Sequence, residues 1–411
     1  AGVNAGNSIA SGGNYNVAIG DEAGTAITTG DANVAVGYTA LDANTTASGN
    51  TAIGFGTLTA NTTGDRNTAL GQSAMGANTV GDRSVGIGFQ ALNAQNPSSN
   101  ADMYNTAVGY NAGTLVTTGT QNTLIGGLAG DAITTGSYNS VVGVNAGGAI
   151  TTGAQNVAVG QGALATNTTG ATNTALGDSS LSANTTASYN TAVGASALVA
   201  NTTGDRNVAS GFQSLYANTT GSYNSASGMY ALLRNTTGAS NTASGYNALQ
   251  ENTTASNNSA FGYHALYANT TGTANVAVGK ATLEAATTAD GNTAVGYASQ
   301  DNTTTGANNT ALGRHSMDGN TTGANNVAVG AYALDANTTA DNNTAVGYTS
   351  LGANTTGEDN VAVGREALLE NTTADGNTAL GNQTLRENTT GASNTAVGAA
   401  ALYANTTGAD N

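Results

Sequence analysis

Cysteine and tryptophan are absent from this chain of 411 residues, and proline and lysine occur once each, as Pro97 and Lys280. The lack of cysteine excludes a disulfide framework and fits an extracellular or virion setting, although many cytosolic proteins also lack it. Only 8 basic residues stand against 24 acidic ones, for a formal net charge of −16. Without a basic patch, nucleic-acid binding is not expected. No apolar run of about 18 residues exists either, so we expect no membrane insertion.

What the chain has instead is a repeat of 17 residues. An asparagine, replaced once by Ser84, is followed four residues later by a glycine, from Asn16 to Asn394. These marks define a single array of 23 coils over residues 16–411. Residues 1–15 form a partial, irregular coil ahead of the array. Large aliphatic residues are sparse, which usually indicates disorder, but here they keep the phase of the repeat. A period this short is typical of a solenoid or a fibre and leaves no room for paired helices.

The places of one coil are numbered here from 1 to 17, starting at the asparagine, and the consensus is N-[TVS]-A-[VLIS]-G-x-x-A-L-x-x-N-T-T-[GA]-x-x. Places 1 to 4 predict a short strand in which alanine at place 3 faces away from places 2 and 4. Glycine at place 5 predicts a corner, because it tolerates positive φ. The A-L pair and the N-T-T run predict a second and a third short segment, the threonines favouring extended backbone. The predicted fold class is therefore all-β, a parallel β-solenoid (β-roll or β-helix) of 17-residue coils.

Places 9 and 12 show a compensating exchange. Place 9 is usually leucine or methionine, and place 12 is usually asparagine. Four coils have glycine at place 9, and each of them has a large aliphatic residue at place 12: Ile27, Val116, Ile133 and Ile150. Since an empty core site costs about 2–5 kcal/mol, the exchange predicts that both places border one interior volume, which one large aliphatic residue fills in each coil.

One coil is irregular. It contains Pro97 and four extra residues, after which the repeat resumes in phase at Asn105. Because proline cannot donate to a sheet ladder, we expect residues 93–104 to form a protruding loop.

Stacking of the coils has two predicted consequences. Asparagine at place 1 would form a ladder of amides, each bonded to the next, which stabilises stacked identical strands. One large aliphatic residue and a few small ones per coil make a thin core, and this favours association of chains, most simply as a parallel homotrimer. Alanine at place 3 is the small residue that would let neighbouring chains pack closely.

The pattern N-T-A-V-G-Y-x-A-L-x-A-N-T-T-G is matched closely at residues 33–47 and 343–357. It resembles the shaft repeats of bacteriophage tail-fibre proteins, and its N-[ST]-x-[VIL]-G-x-x-A part is similar to the head repeats of trimeric autotransporter adhesins. The resemblance covers essentially the whole chain. It implies a homotrimeric fibre outside the cell, in a virion tail fibre or a cell-surface appendage, with a host-cell surface glycan or receptor as partner. Such fibres often end in a receptor-binding tip or a self-cleaving chaperone, neither of which is recognisable in this sequence.

Aromatic residues recur at place 6, directly after the corner glycine. An apolar ring with a polar tip suits stacking on a sugar ring, and it also suits packing between chains. This candidate glycan-binding or interchain column consists of Tyr38, Phe55, Phe89, Tyr110, Phe212, Tyr246, Tyr263, Tyr297 and Tyr348.

Acidic residues occupy place 16 in three consecutive coils, as Asp341, Glu358 and Asp375. Carboxylates stacked about 5 Å apart would repel each other unless a cation or a proton intervened. The column is a weak candidate for a cation site, and a solvated acidic edge is the alternative. The two histidines, His264 and His315, lie three coils apart, about 14 Å in a stack. That distance excludes joint metal ligation, and we expect both to be surface residues.

No nucleophile and base, phosphate-binding loop or zinc-type spacing is recognisable, so we predict no cofactor and no enzymatic activity. The N-T-T runs are N-x-T sequons, interpreted either as glycosylation sites or as a structural ladder. The leading functional hypothesis is a rigid fibre shaft that projects a receptor-binding tip and contacts host surface glycans. The alternatives are a binding surface in its own right, as an adhesin or an ice-binding solenoid, and a polysaccharide depolymerase.

Overall fold

The computed structural model describes residues 2–9 and 12–411 of the chain. Within these residues it contains short β-strands and turns and no α-helix. Contacts divide the chain into an N-terminal half, Ala1–Arg206, and a C-terminal half, Asn207–Asn411. Each half is a parallel β-solenoid with coils about 17 residues apart, which confirms the predicted fold class.

In the N-terminal half, each regular coil contributes one strand of three residues over places 2 to 4, and each strand pairs in parallel with that of the next coil. Two further short strands pair only with each other: β5 lies at places 15 and 16 of the coil before the irregular one, and β7 lies in the irregular coil. The strands are β1 (Val17–Ile19), β2 (Val34–Val36), β3 (Thr51–Ile53), β4 (Thr68–Leu70), β5 (Gly81–Asp82), β6 (Val85–Ile87), β7 (Ala101–Asp102), β8 (Thr106–Val108), β9 (Thr123–Ile125), β10 (Ser140–Val142), β11 (Val157–Val159), β12 (Thr174–Leu176) and β13 (Thr191–Val193).

The C-terminal half repeats this arrangement without interruption. Successive strands pair in parallel at a constant offset of 17 residues, as in the pairing of Val327 with Thr344. The strands are β14 (Val208–Ser210), β15 (Ser225–Ser227), β16 (Thr242–Ser244), β17 (Ser259–Phe261), β18 (Val276–Val278), β19 (Thr293–Val295), β20 (Thr310–Leu312), β21 (Val327–Val329), β22 (Thr344–Val346), β23 (Val361–Val363), β24 (Thr378–Leu380) and β25 (Thr395–Val397).

Alanine at place 3 lies in the interior of the coil. Ala35 and Ala345 are fully buried within the single chain, while the flanking residues at places 2 and 4 face outward. The expectation that this alanine faces a neighbouring chain is therefore wrong. In coils with leucine at place 9, the alanine methyl group fills the space between the strand and that side chain. In two coils with glycine at place 9, the larger Leu124 and Val141 occupy place 3 and are also fully buried.

The predicted amide ladder at place 1 is confirmed in both halves. The Asn122 backbone N–H donates to Asn105 Oδ1 at 2.9 Å, and its Nδ2 donates to the same oxygen at 3.2 Å and to the Gly136 carbonyl at 2.9 Å. In the C-terminal half, the Asn326 N–H and Nδ2 donate to Asn309 Oδ1 at 2.9 and 3.2 Å. Because these side chains are fully buried, the ladder satisfies polar groups that would otherwise destabilise the core.

Place 12 carries a second ladder. Asn44 is fully buried, its Nδ2 donates to the Ala47 carbonyl at 3.2 Å, and its Oδ1 accepts from Asn61 Nδ2 at 3.3 Å. The amide that a glycosyltransferase would modify is thus bonded inside the folded coil. This favours the structural interpretation of the N-T-T sequons over glycosylation.

The exchange between places 9 and 12 is also confirmed. A Cβ added to Gly130 would lie 2.7 Å from Cδ1 of Ile133, so the aliphatic side chain from place 12 fills the space at place 9. The backbone is unchanged, because Gly130 and Leu164 share a φ of 55°. The partial N-terminal coil uses the same device, since a Cβ on Gly6 would lie 3.0 Å from Cδ1 of Ile9.

This geometry predicts strong coupling between Leu164 and Asn167, which lie in a regular coil. We expect Leu164→Gly to cost about 2–5 kcal/mol, and Asn167→Ile to cost about 1–3 kcal/mol by overpacking the filled interior. The double variant recreates the exchanged coil, so its cost should be about 2 kcal/mol less than the sum of the two single costs. Guanidinium unfolding followed by circular dichroism measures all three.

A control pairs Leu164→Gly with Asn61→Ile, which lies in a distant coil of the same half. These two changes should be additive to within about 0.5 kcal/mol. Additivity in the first pair as well would show that places 9 and 12 do not share one volume.

The second and third segments of the coil differ from the prediction. The A-L pair lies in a turn in which places 7 and 9 have left-handed backbone, as at Thr39 and Leu41, both with φ of 52°. Place 17 is left-handed too. The N-T-T run is a bend rather than a strand, and its threonines bond to one carbonyl of the next coil. The Thr79 carbonyl accepts from the Thr62 N–H at 2.8 Å, from Thr62 Oγ1 at 3.1 Å and from the Thr63 N–H at 3.3 Å.

The loop predicted at residues 93–104 includes fewer residues in the structure. Gln95 is fully buried at place 12, where its Oε1 accepts a bond of 2.9 Å from the place 1 asparagine of the next coil. Residues 98–100 are exposed, β7 then pairs with β5, and Met103 is fully buried. The chain therefore leaves the coil only briefly, because glutamine can replace asparagine in the ladder.

Candidate functional site

The place 6 aromatics of the N-terminal half form two separate pairs. Tyr38 stacks on Phe55, and Phe89 stacks on Tyr110, each with ring centroids 5.4 Å apart. Both pairs join neighbouring coils, since stacked coils bring equal places together. All four rings lie on the outside of the coil.

In the C-terminal half, rings at place 7 extend the column beyond the predicted residues. Tyr230 lies edge-on to Phe212 at 5.7 Å and to Tyr246 at 6.1 Å, and Tyr246 stacks on Tyr263 at 5.6 Å. The sequence analysis considered place 6 alone and missed Tyr230. Places 6 and 7 are adjacent on the outer turn of the coil, so an aromatic residue at either place joins the same column.

Cationic side chains belong to this column as well. The Lys280 ammonium lies 5.7 Å from the ring centroids of both Tyr263 and Tyr297, which precede and follow it by one coil. The guanidinium of Arg314 lies 5.6 Å from the Tyr332 ring. Attraction between a cation and the face of an aromatic ring stabilises such contacts.

The two histidines are not simple surface residues, contrary to expectation. His264 is half-buried and stacks on Tyr263 with ring centroids 4.0 Å apart, and His315 stacks on Tyr332 at 5.5 Å. The Nδ1 of His264 lies 2.8 Å from Glu284 Oε1, and that of His315 lies 3.0 Å from the Asp318 carboxylate. Each imidazole thus joins the aromatic column to an acidic residue at place 10.

Place 10 carries a column of acids that the sequence analysis missed. Glu284, Asp301, Asp318 and Asp335 occupy this place in four consecutive coils. Burial, together with the neighbouring carboxylates of Glu284 and Asp318, raises the pKa of Asp301 to about 6 against the opposing effect of the His315 ring. Burial, followed by the Asp318 charge, also raises the pKa of Asp335. A search of every place for consecutive acids, rather than of place 16 alone, would have found the column.

At place 16, carboxylates bond to the backbone. Asp341 Oδ1 accepts from the Ala324 N–H, and Asp375 Oδ1 accepts from the Glu358 N–H, both at 2.7 Å. Serine serves the same purpose in other coils, as where the Asp31 N–H donates to Ser48 Oγ at 3.0 Å. These bonds give place 16 a structural role. The cation column stays a prediction, and the described residues contain no cluster of three or more His, Asp or Glu side chains that could hold a metal ion.

Two surface depressions follow the column in the C-terminal half. One has a volume of about 270 Å³ and lies between Tyr230 and Tyr246, with Leu233 and Gln250 at its edge. The larger has a volume of about 480 Å³ and lies between Tyr332 and Tyr348. Both open between the aromatic column and place 10, so the side chain at place 10 decides their depth.

Comparison with known proteins identifies no relative. No family model matches the chain, and no curated protein matches it. Within the described ranges, the structure has no helix that is long and apolar enough to cross a bilayer.

Proposed function

We propose that the protein is the shaft of a parallel homotrimeric fibre that projects a receptor-binding tip, in a virion tail fibre or a cell-surface appendage. The observation that carries the proposal is an outward apolar column at place 4 of the strands. Ile125 and Leu176 in the N-terminal half are 39% and 46% exposed, and Leu312 in the C-terminal half is 49% exposed.

An exposed apolar column like the one at place 4 is unusual for a monomeric protein. Large aliphatic residues occupy place 4 in all coils of the N-terminal half. In the C-terminal half the first three coils have Ser210, Ser227 and Ser244 there, the fourth has Phe261, and the later coils have aliphatic residues. A continuous exposed apolar surface is typical of a face that a partner covers. Identical copies aligned in parallel would place equal coils side by side, so one short apolar contact would be repeated along the fibre.

The internal order of the coils supports a structural role. The place 1 amide ladder runs through both halves, and the second ladder at place 12 accompanies it except in coils where another residue, such as Ile133, replaces the asparagine. Most coils also bury a large aliphatic side chain. Because each coil is bonded chiefly to its neighbours, stability grows with the number of coils. Such a chain can hold a tip at a distance without a globular core.

A binding surface in its own right is the second candidate, and the aromatic column favours an adhesin. The threonine columns give less support to ice binding. The first threonine of N-T-T uses its hydroxyl inside the stack, as where Thr236 Oγ1 donates to the Thr253 carbonyl at 2.9 Å. Only the second threonine is fully exposed, which leaves one outward column.

Analytical ultracentrifugation of the intact chain tests the shaft proposal. We expect the mass of a trimer, and we expect Ile125→Asp combined with Leu176→Asp to weaken association at least tenfold, because charges would enter the apolar contact. The control is Thr186→Asp, an exposed place 14 residue on another side of the coil, which should leave the mass unchanged. A monomeric wild-type chain would refute the proposal.

A further inference from the structure

The larger depression on the C-terminal half lies where the size of the side chain at place 10 differs sharply between successive coils. Asp335 is followed at this place by Gly352 and then by Leu369. A Cβ on Gly352 would lie 3.2 Å from the Thr349 carbonyl oxygen and 3.3 Å from Leu369 Cδ1. Gly352 thus lies in the floor of an open notch of about 480 Å³, and a longer side chain there would project into it.

The walls of the notch are aromatic and acidic. Tyr332 and Tyr348 stand nearly perpendicular, with ring centroids 6.3 Å apart and an interplanar angle of 86°. Asp335 and Glu370 also line it. Among the described residues, no side chain forms an ion pair with Asp335 or a hydrogen bond with its carboxylate. The His315 ring acts on Asp335 electrostatically without pairing with it. This half-buried carboxylate therefore has no direct partner in the described part of the chain, and it lines the notch together with the two tyrosines.

Another part of the aromatic column shows which kind of group binds between two tyrosine rings. Three coils before the notch, the Lys280 ammonium lies between Tyr263 and Tyr297 at 5.7 Å from each ring. The notch offers two tyrosines and an acid but has no lysine of its own. A neutral sugar could stack on these rings, but it would give the Asp335 carboxylate no ion-pair partner, and so charge complementarity favours a cation.

We propose that the notch binds a protonated amine carried on a small ring or chain, with the ammonium group beside Asp335 and the rings of Tyr332 and Tyr348. An amino sugar with a free amine and a linear polyamine share this chemistry. The site lies on one chain, so it does not depend on the fibre-shaft proposal.

Calorimetric titration of the full chain at near-neutral pH tests the ligand chemistry. The probes are a glucosamine tetrasaccharide, its fully N-acetylated counterpart and spermidine. We expect the free-amine sugar to bind at least about tenfold more tightly than the N-acetylated one, since acetylation removes the charge. Binding of spermidine as well would show that the ammonium group is sufficient, and its failure beside a binding amino sugar would show that the ring contributes. Equal affinity for both sugars, or binding of neither amine, would overturn the proposal.

Three variants locate the site. Asp335→Asn and Tyr348→Leu should each weaken amine binding about tenfold or more. Gly352→Leu should abolish it by filling the notch, and the fold should tolerate this change because Leu233 and Leu369 occupy the same place in other coils.

The matched control is Asp42→Asn. Asp42 also occupies place 10, but its carboxylate already accepts a hydrogen bond of 2.8 Å from Thr59 Oγ1 of the next coil. Affinity should be unchanged in this variant, and all variants should unfold at the wild-type denaturant midpoint. Wild-type affinity in both Asp335→Asn and Gly352→Leu would place the amine elsewhere and overturn the assignment.

Discussion

Replacing Gly126 by alanine is expected to destabilise the N-terminal half by about 4 kcal/mol. Gly126 is the place 5 corner after β9, with φ of 134°, and a Cβ there would lie 2.5 Å from the Gly143 carbonyl oxygen and 2.7 Å from its carbon. Alanine would thus combine a strained backbone with a clash against backbone atoms of the next coil. Since the neighbouring corner is fixed by its own ladder, neither coil can move away cheaply.

The adjacent glycine supplies the control. A Cβ on Gly127 would meet nothing within 4 Å, and this residue has no positive φ. Gly127→Ala should therefore change the free energy of unfolding by less than about 0.5 kcal/mol. Guanidinium unfolding of both variants, followed by circular dichroism, measures the difference. Equal stabilities would mean that place 5 does not need glycine.

The corner illustrates what the repeat could and could not predict. Glycine at place 5 of every coil indicated a corner, and the need for positive φ followed from residue chemistry alone. The same reasoning could not predict the left-handed backbone at place 9, where Leu41 has φ of 52°. Leucine disfavours this conformation locally, and it is held there because the turn delivers its side chain to the interior. Packing between coils overrides local preference at this place.

The orientation of the strand could not be predicted from the repeat either. The alternation of strand side chains put place 3 on one face and places 2 and 4 on the other, but it did not indicate which face lies inside the coil. The core volume decides this, because a coil already filled by one leucine has room only for the methyl group of Ala35. Prediction of the candidate site had a different limit. The place 6 aromatics could be predicted from the repeat. The sequence did not show that Tyr230, the acids at place 10 and the missing side chain at Gly352 lie side by side, because only the stacking of coils brings them together.

Replacing Asn122 by aspartate is expected to cost about 3–5 kcal/mol, the usual penalty for an uncompensated buried charge. Asn122 is fully buried in the place 1 ladder. Its Oδ1 accepts from the Asn139 N–H and Nδ2 at 3.0 and 3.1 Å, and its Nδ2 donates to Asn105 Oδ1 and the Gly136 carbonyl. One aspartate oxygen would keep the accepting role, but the other would face two acceptors with no hydrogen to donate.

The pH dependence separates this charge effect from a loss of shape. Burial raises the pKa of a carboxyl group in the folded state above its unfolded value of about 3.9. The folded chain would then bind more protons than the unfolded chain, so the stability deficit of Asn122→Asp relative to wild type should shrink as the pH falls towards 4.

Asn145→Asp is the control for this comparison, since Asn145 is exposed at place 7 of the following coil. It should stay within about 0.5 kcal/mol of wild type at every pH. A pH-independent deficit in Asn122→Asp would indicate that the variant has rearranged the ladder instead of burying a charge. A deficit no larger than that of Asn145→Asp would show that the amide ladder does not hold the coils together.

The exchanged coils show why the place 1 ladder is important for stability. Val116, Ile133 and Ile150 interrupt the second ladder at place 12, so in those coils only the place 1 amides connect one buried polar layer to the next.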